Sequence, residues 1–278
     1  MEETKKGNLY LCPTPIGNLG DMTLRGIEIL ETVDLIAAED TRHTLQLLNH
    51  LHIKKPMVSY FEHNKRERGE EILAGLLEGK NVALVTDAGT PAISDPGEDL
   101  VKLCIDRDVT VVPLPGANAC ITALIASGMD TGRFTFQGFL SVNKRGRKEH
   151  LNGVKNYAET LIFYEAPHKL KRTLKDMLEV FGNRRICLGR ELTKKFEEFR
   201  RCSLEEAVAY YENETPKGEF VLIVEGNSQP EGEKATEIPI EDIYASLLEK
   251  GVDSREAVKL AAQEKGISKR EAYDILKK

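Results

Sequence analysis

Two rhythms of apolar and polar positions divide this chain. Short apolar runs at Asn8–Cys12, Leu35–Ala38, Met57–Tyr60, Val82–Thr86 and Val109–Leu114 read as strands. Between them lie Thr23–Thr32, Thr41–Leu51, Lys65–Leu77 and Gly97–Arg107, which read as helices. In the third of these, Ile72, Leu73, Leu76 and Leu77 form one apolar stripe. Regular strand–helix alternation of this kind predicts an α/β layered domain with a mostly parallel sheet.

The rhythm changes after Pro115-Gly116. Ala117–Ala126 is small and apolar nearly all round, as expected of a helix buried on several sides at a domain junction. Beyond it, Phe134–Phe139, Thr160–Tyr164, Arg185–Leu188, Phe196–Cys202 and Glu219–Val224 read as strands, and helices begin only after residues 144, 167 and 203. More strands per helix predicts a second α/β domain with a mixed sheet. Residues 227–238 are polar, contain Pro and Gly, and read as a linker. Three short helices follow, with Asp253-x-x-Glu256 and Ser268-x-x-Glu271 as start signals and Gly251 and Gly266 as stops. The expected organisation is an N-terminal α/β domain over 1–116, a second over 117–226, the linker, and a three-helix C-terminal segment over 239–278.

Composition narrows the function classes. No apolar run approaches the roughly 20 residues of a membrane-spanning helix, and the charged N-terminus does not resemble a signal peptide. The five cysteines are scattered and never spaced as CxxC, and the histidines form no HExxH. We therefore expect a reducing, cytoplasmic setting and no metal site. The formal net charge of −6 is the wrong sign for holding nucleic acid by bulk electrostatics, so any such contact must use a local patch. Lys144-Arg-Gly-Arg-Lys148 is the candidate, and Lys144, Arg145 and Arg147 are expected to grip RNA phosphates. A solvated charge run is the plainer reading of the same residues.

Three loops follow strands of the first sheet. Pro13-Thr-Pro-Ile-Gly-Asn-Leu-Gly-Asp21 is stiffened by proline and opened by glycine. Asp87-Ala-Gly-Thr-Pro-Ala-Ile-Ser-Asp-Pro-Gly97 sets many polar groups at a strand's carboxyl end, and Pro113-Leu-Pro-Gly-Ala-Asn-Ala119 is again centred on glycine. Each could be only a well-made turn. Together, at the edge where open α/β sheets bind ligands, they predict a small-molecule site. None matches GxGxxG or GxxxxGK[ST], so neither dinucleotide nor P-loop chemistry is indicated.

The segments PTPIGNLGD, AAEDTR, VTDAGTPAISDPG, PLPGANA, FYEAPHKL and GRELTK, in this order, resemble the RsmI-type 16S ribosomal RNA ribose methyltransferases of the tetrapyrrole-methylase-like (class III) superfamily. The resemblance spans about residues 8 to 226 and extends to the helical tail. It implies S-adenosyl-L-methionine held in a cleft between the two α/β domains, usually in a homodimer. It implies cofactor contacts at Pro15, Gly89, Thr90, Pro91, Ile93, Asn118, Ala119, Tyr164, Glu165 and Leu192. The substrate it implies is a cytidine ribose of 16S rRNA in the small ribosomal subunit (cytidine 1402 in the usual numbering).

A ribose 2′-hydroxyl is a poor nucleophile at neutral pH, so some group must take its proton or steady the developing charge. Glu39 and Arg42, after the second strand, form one candidate cluster. Glu165 and His168, before a helix, form another, and Glu191 is a third candidate. Asp40 and Glu165 equally suit helix starts, and the sequence does not choose among them. Two other readings stay open: a tetrapyrrole methyltransferase of the precorrin or uroporphyrinogen type, and a non-catalytic ribosome-binding protein.

Overall fold

In the computed structural model, which describes residues 5–227 and 239–276, the apolar runs of the first half become one parallel sheet. Its strands are β1 (Asn8–Leu11), β2 (Leu35–Ala38), β3 (Met57–Ser59), β4 (Val82–Val85) and β5 (Thr110–Pro113), in the order β3-β2-β4-β1-β5. The inner strands β2 and β4 bury both faces. Leu84 faces Leu73, Leu76 and Leu100 of helices α3 (Lys65–Leu77) and α4 (Gly97–Ile105), whereas Ala83 and Val85 face Leu30 and Leu48 of α1 (Leu24–Thr32) and α2 (Thr41–His50). A parallel sheet covered on both sides explains why its strands are nearly continuous apolar runs. The chain leaves β1 for β2 and β3 on one side, returns to β4, and crosses to β5 on the other. The loops after β1, β2, β4 and β5 therefore crowd one edge, at a topological switch point.

The second sheet is mixed, in the order β6-β7-β10-β8-β9. It consists of β6 (Phe134–Phe139), β7 (Thr160–Glu165), β8 (Arg185–Arg190), β9 (Glu198–Ser203) and β10 (Phe220–Val224), with only β6 and β7 parallel. Helices α6 (Lys144–Val154), α7 (Pro167–Phe181) and α8 (Leu204–Asn213) cover one face, where Phe163, Leu170, Leu174, Met177 and Leu222 form its core. The other face belongs to α5 (Ala119–Ser127), whose Cys120, Ala123 and Leu124 pack on Ile162, Cys187, Val221 and Ile223. The apolar helix at the expected junction thus sits with the second sheet. It begins at Ala119 rather than Ala117 because Asn118 caps it, accepting the Ile121 N–H at 3.1 Å.

Residues 239–276 supply α9 (Ile240–Glu249), α10 (Ser254–Lys265) and α11 (Lys269–Leu276), which share a small core of Ile240, Ile243, Val258, Ala261, Ala262 and Ala272. Ser268 and Glu271 form the expected reciprocal cap, and Gly266 closes α10 in the left-handed conformation. The stretch read as a linker lies outside the described residues except for Asn227. Among the described residues, no helix is long and apolar enough to cross a membrane.

Candidate active site

The loop after β4 is the centre of the site. Thr14 and Gly89 exchange backbone hydrogen bonds of 2.9 and 3.0 Å, and Thr14 Oγ1 donates to the Thr86 carbonyl at 3.0 Å, so the loops after β1 and β4 are tied together. Gly89 has φ +89°, and a Cβ there would lie 3.2 Å from Ile16 Cγ2. Thr90 Oγ1 donates to the Ala117 carbonyl at 2.9 Å and accepts from Asn118 Nδ2 at 3.4 Å, which ties in the loop after β5. Asp95 accepts from the N–H groups of Ala92, Ile93 and Gly97 at 2.7–3.2 Å. That clamp holds Ala92 and Ser94 at φ +68° and +64°, backbone that costs non-glycine residues of order 1–3 kcal/mol each. Glu191 and Thr193, on the facing loop after β8, are also left-handed.

These loops and the second sheet enclose a cleft of about 580 Å³, within the usual range for a small-molecule site. Ile16, Ile93, Phe139, Tyr164, Leu192 and Val221 give it apolar walls, while Glu39, Thr86, Asp87, Thr90 and Asn118 give it polar ones. Tyr164 stands edge-on to Phe136 and Phe139, with ring centroids 4.8 and 5.5 Å away. Its hydroxyl accepts the Cys120 N–H at 3.2 Å, and burial pushes its pKa up to about 12, so it stays neutral. A cleft with aromatic and aliphatic walls, several hydroxyl and amide groups and carboxylates along its rim suits a molecule that joins a flat heterocycle to a charged polar chain.

Of the residues expected at the cofactor, Gly89, Thr90, Ile93, Asn118, Ala119, Tyr164, Glu165 and Leu192 line this cleft. Pro15 does not; it lines a neighbouring hollow. Pro91 is buried behind the loop, where its ring stiffens the turn. Glu39 lines the cleft, half-buried, with Oε2 accepting from Thr86 Oγ1 at 2.6 Å.

Four candidates carry corrections. The guanidinium of Arg42 points to solvent, paired with Asp40 at 2.6 Å. That pair, with the Arg42 N–H, holds the Asp40 carboxyl well below the usual range. Arg42 is thus one half of a surface pair at the start of α2. His168 is exposed on the first turn of α7 and does not reach the cleft. Glu165 does, but its carboxylate is already engaged by Lys169 Nζ at 2.8 Å, Thr173 Oγ1 at 2.6 Å and the Ala166 N–H at 2.9 Å. With those donors in place its oxygens are already committed to the protein and are not offered to a substrate hydroxyl. Arg147 is 3% exposed, paired with Asp176 at 2.6 Å and donating to the carbonyls of Ser141 and Val142. It holds the loop before α6 and is closed to any phosphate. Lys144 and Arg145 remain exposed on the same turn, and Arg145 pairs with Glu149 at 2.8 Å.

Glu191 accepts from the Glu219 N–H at 2.9 Å and Lys194 Nζ at 3.0 Å. Burial pushes its carboxyl up, but those donors outweigh burial and hold it below its ordinary value. It braces the turn that presents Leu192. The sequence reading missed Asp87, Ser94, Phe139, Glu219 and Val221 as lining residues. Asp87 stood in the loop already suspected, and Phe139 ends a strand on which alternation alone did not say which end faces a ligand.

Comparison with known proteins gives the fold a lineage. Residues 8–208 match the family of Tetrapyrrole (Corrin/Porphyrin) Methylases. A protein of Halalkalibacterium halodurans named ribosomal RNA small subunit methyltransferase I is 51% identical over 281 aligned positions, covering 99% of this chain and 96% of the relative. The protein of that name from Bacillus subtilis is 49% identical, covering 96% and 93%. Among solved structures, uroporphyrin-III C-methyl transferase from Thermus thermophilus, complexed with S-adenosyl homocysteine, superposes with a TM-score of 0.56 at 17% identity, over 78% of this chain and 97% of that one. Cobalt precorrin-4 methyltransferase superposes at 0.58, also at 17% identity, over 78% and 94%. The chain belongs to the tetrapyrrole (corrin/porphyrin) methylase family, in the branch that holds the relatives named ribosomal RNA small subunit methyltransferase I.

Proposed function

We propose that this chain transfers a methyl group from S-adenosyl-L-methionine to the ribose 2′-hydroxyl of a cytidine in 16S rRNA of the small ribosomal subunit. The observation that carries the reading is the cleft where the carboxyl-end loops of the first sheet meet the second, in a chain 43–51% identical to rRNA methyltransferases over nearly its whole length. The S-adenosyl homocysteine in a protein of the same fold supports the choice of cofactor. Phe139, Tyr164, Leu192 and Val221 would hold its adenine, and Thr90 and Asn118 its polar groups. The cofactor supplies an activated methyl on a sulfonium. The protein's part is to hold the accepting oxygen in line with that methyl, an alignment that supplies much of the rate in such a displacement.

Lys144 and Arg145 support the RNA reading. They stand at the N-terminus of α6, a few residues beyond Phe139 at the mouth of the cleft, where a helix end and two cations favour phosphate. We read two copies of the chain as the working unit, and a cytoplasmic setting.

The test is transfer of labelled methyl from S-adenosyl-L-methionine to unmodified small subunits, followed by alkaline hydrolysis of the RNA. A 2′-O-methyl removes the nucleophile that alkali uses, so label is expected in an alkali-resistant dinucleotide. Label in mononucleotides would move the target to a base. No label at all would overturn the reading.

A further inference from the structure

On the far side of Thr86 and Asp87 from the cleft lies a second hollow of about 280 Å³. The loop after β1 contributes Thr14, Pro15 and Leu19, and one face of α2 contributes His43, Gln46, Leu47 and His50. Thr86 and Asp87 line both spaces. In-line transfer needs the reacting atoms of two bound molecules within about 3–3.5 Å, so the acceptor belongs in a hollow that shares a wall with the donor's cleft. A further hollow, beside Tyr210, meets the cleft only at Phe220, which is 2% exposed and closes that wall. The hollow on α2 also has the right chemistry for a nucleoside: Pro15, Leu19 and Leu47 for apolar contact, Gln46 and His50 for the polar edge of a base.

The shared wall carries a histidine–aspartate pair. His43 Nδ1 lies 3.4 Å from Asp87 Oδ2. Asp87 is itself fixed, with Oδ1 accepting the Asp40 N–H at 3.0 Å. The other titratable or charged groups on the elements around the hollow are Glu39, Asp40, Arg42 and His50, and Lys194, which packs on Gly17 from the facing loop and is paired with Glu191 and Glu219. Glu39 is engaged by Thr86, and Asp40 by Arg42. A histidine is the side chain whose ordinary pKa suits proton transfer at neutral pH, and His43 is exposed, with Nε2 not engaged by Asp87.

We propose that this hollow takes the target nucleoside and that His43, oriented by Asp87, takes its hydroxyl proton. The proposal rests on the ribose reading above. A lone pair of the hydroxyl oxygen forms the new bond to the methyl carbon, and the methyl–sulfur bonding pair stays on sulfur. The proton moves to His43 Nε2, which afterwards yields it to solvent. His43 is then a catalytic residue, and Asp87 a positioning residue.

The experiment begins with the native chain, small subunits and the alkaline assay; failure there overturns the ribose reading by itself. Given ribose labelling, His43→Gln is expected to lower the single-turnover rate by about 100-fold or more and to remove the acid limb of its pH profile. Its affinity for S-adenosylhomocysteine and for the subunit should stay within about threefold. Asp87→Asn should lose much of the same rate and add little to His43→Gln, because the two act as one unit. Independently of turnover, carbethoxylation of His43, read by mass spectrometry, should be blocked by the subunit with S-adenosylhomocysteine but not by S-adenosylhomocysteine alone. A His43→Gln rate within tenfold of native with an unchanged pH profile, additive losses in the double variant, or a fully reactive His43 in the subunit complex would each overturn the assignment.

Discussion

Arg145 and Arg147 are two residues apart on one turn of α6, yet the fold gives them opposite jobs. Arg145 reaches solvent, 88% exposed in its side chain, whereas Arg147 is sealed against Asp176. Removing one member of a buried pair leaves its partner's charge uncompensated, so Arg147→Ala is expected to destabilise by about 3–5 kcal/mol. Arg145→Ala should stay within about 0.5 kcal/mol. Urea unfolding of the two variants checks this, and similar midpoints would contradict the burial. At Gly89, Leu would place a side chain at φ +89° against Ile16, in the space the cofactor is proposed to fill. The backbone pair with Thr14 needs no side chain at that position. Gly89→Leu should therefore keep a cooperative melt while losing at least about tenfold in S-adenosylhomocysteine affinity, by calorimetry. Unchanged affinity would move the site.

Among the elements, α6 and β6 meet at His150, whose Nε2 lies 3.0 Å from Gln137 Oε1. Burial lowers the His150 pKa from its ordinary 6.5. The unfolded chain then binds this proton more readily than the folded one, so stability is complete above about pH 6.5 and falls as the pH drops below it. His150→Gln should flatten that acid slope in thermal melts between pH 7 and 5; an unaltered slope would assign it to other groups. The first sheet was legible because each of its strands is a short apolar run between helices, and the inner strands β2 and β4 are buried on both faces. The residue-level assignments in the second domain were less so. The charge run Lys144–Lys148 does not reveal that Arg147 turns inward, since its partner Asp176 lies 29 residues away on α7. His43 was passed over for a similar reason: only the adjacency of β2 and β4 brings it to Asp87, 44 positions on.

At the scale of the whole molecule, α5 joins the two sheets. Its inner face belongs to the second domain, while its N-terminal residues Asn118 and Ala119 line the cleft. On its outer face Ile121 and Ile125, four apart, are 42% and 72% exposed. That uncovered apolar face supports the expected pairing of two copies. Ile125→Glu is expected to shift the native chain from dimer to monomer in light scattering; a native chain that already runs as a monomer would remove the expectation. Across the molecule the resemblance read from six motifs agrees with the family match: four of the motifs sit on loops gathered at one edge of the first sheet, and the other two follow β7 and β8 of the second, where Glu165 and Leu192 line the same cleft.

The left-handed Ala92 and Ser94, clamped by Asp95, carry a consequence for engineering. Glycine at either position would relieve the strained backbone at some entropic cost, and would also loosen the wall that shapes the cleft. A library screened for heat resistance and one screened for turnover should therefore diverge at these two codons, the first drifting toward relaxed residues and the second holding the strained ones.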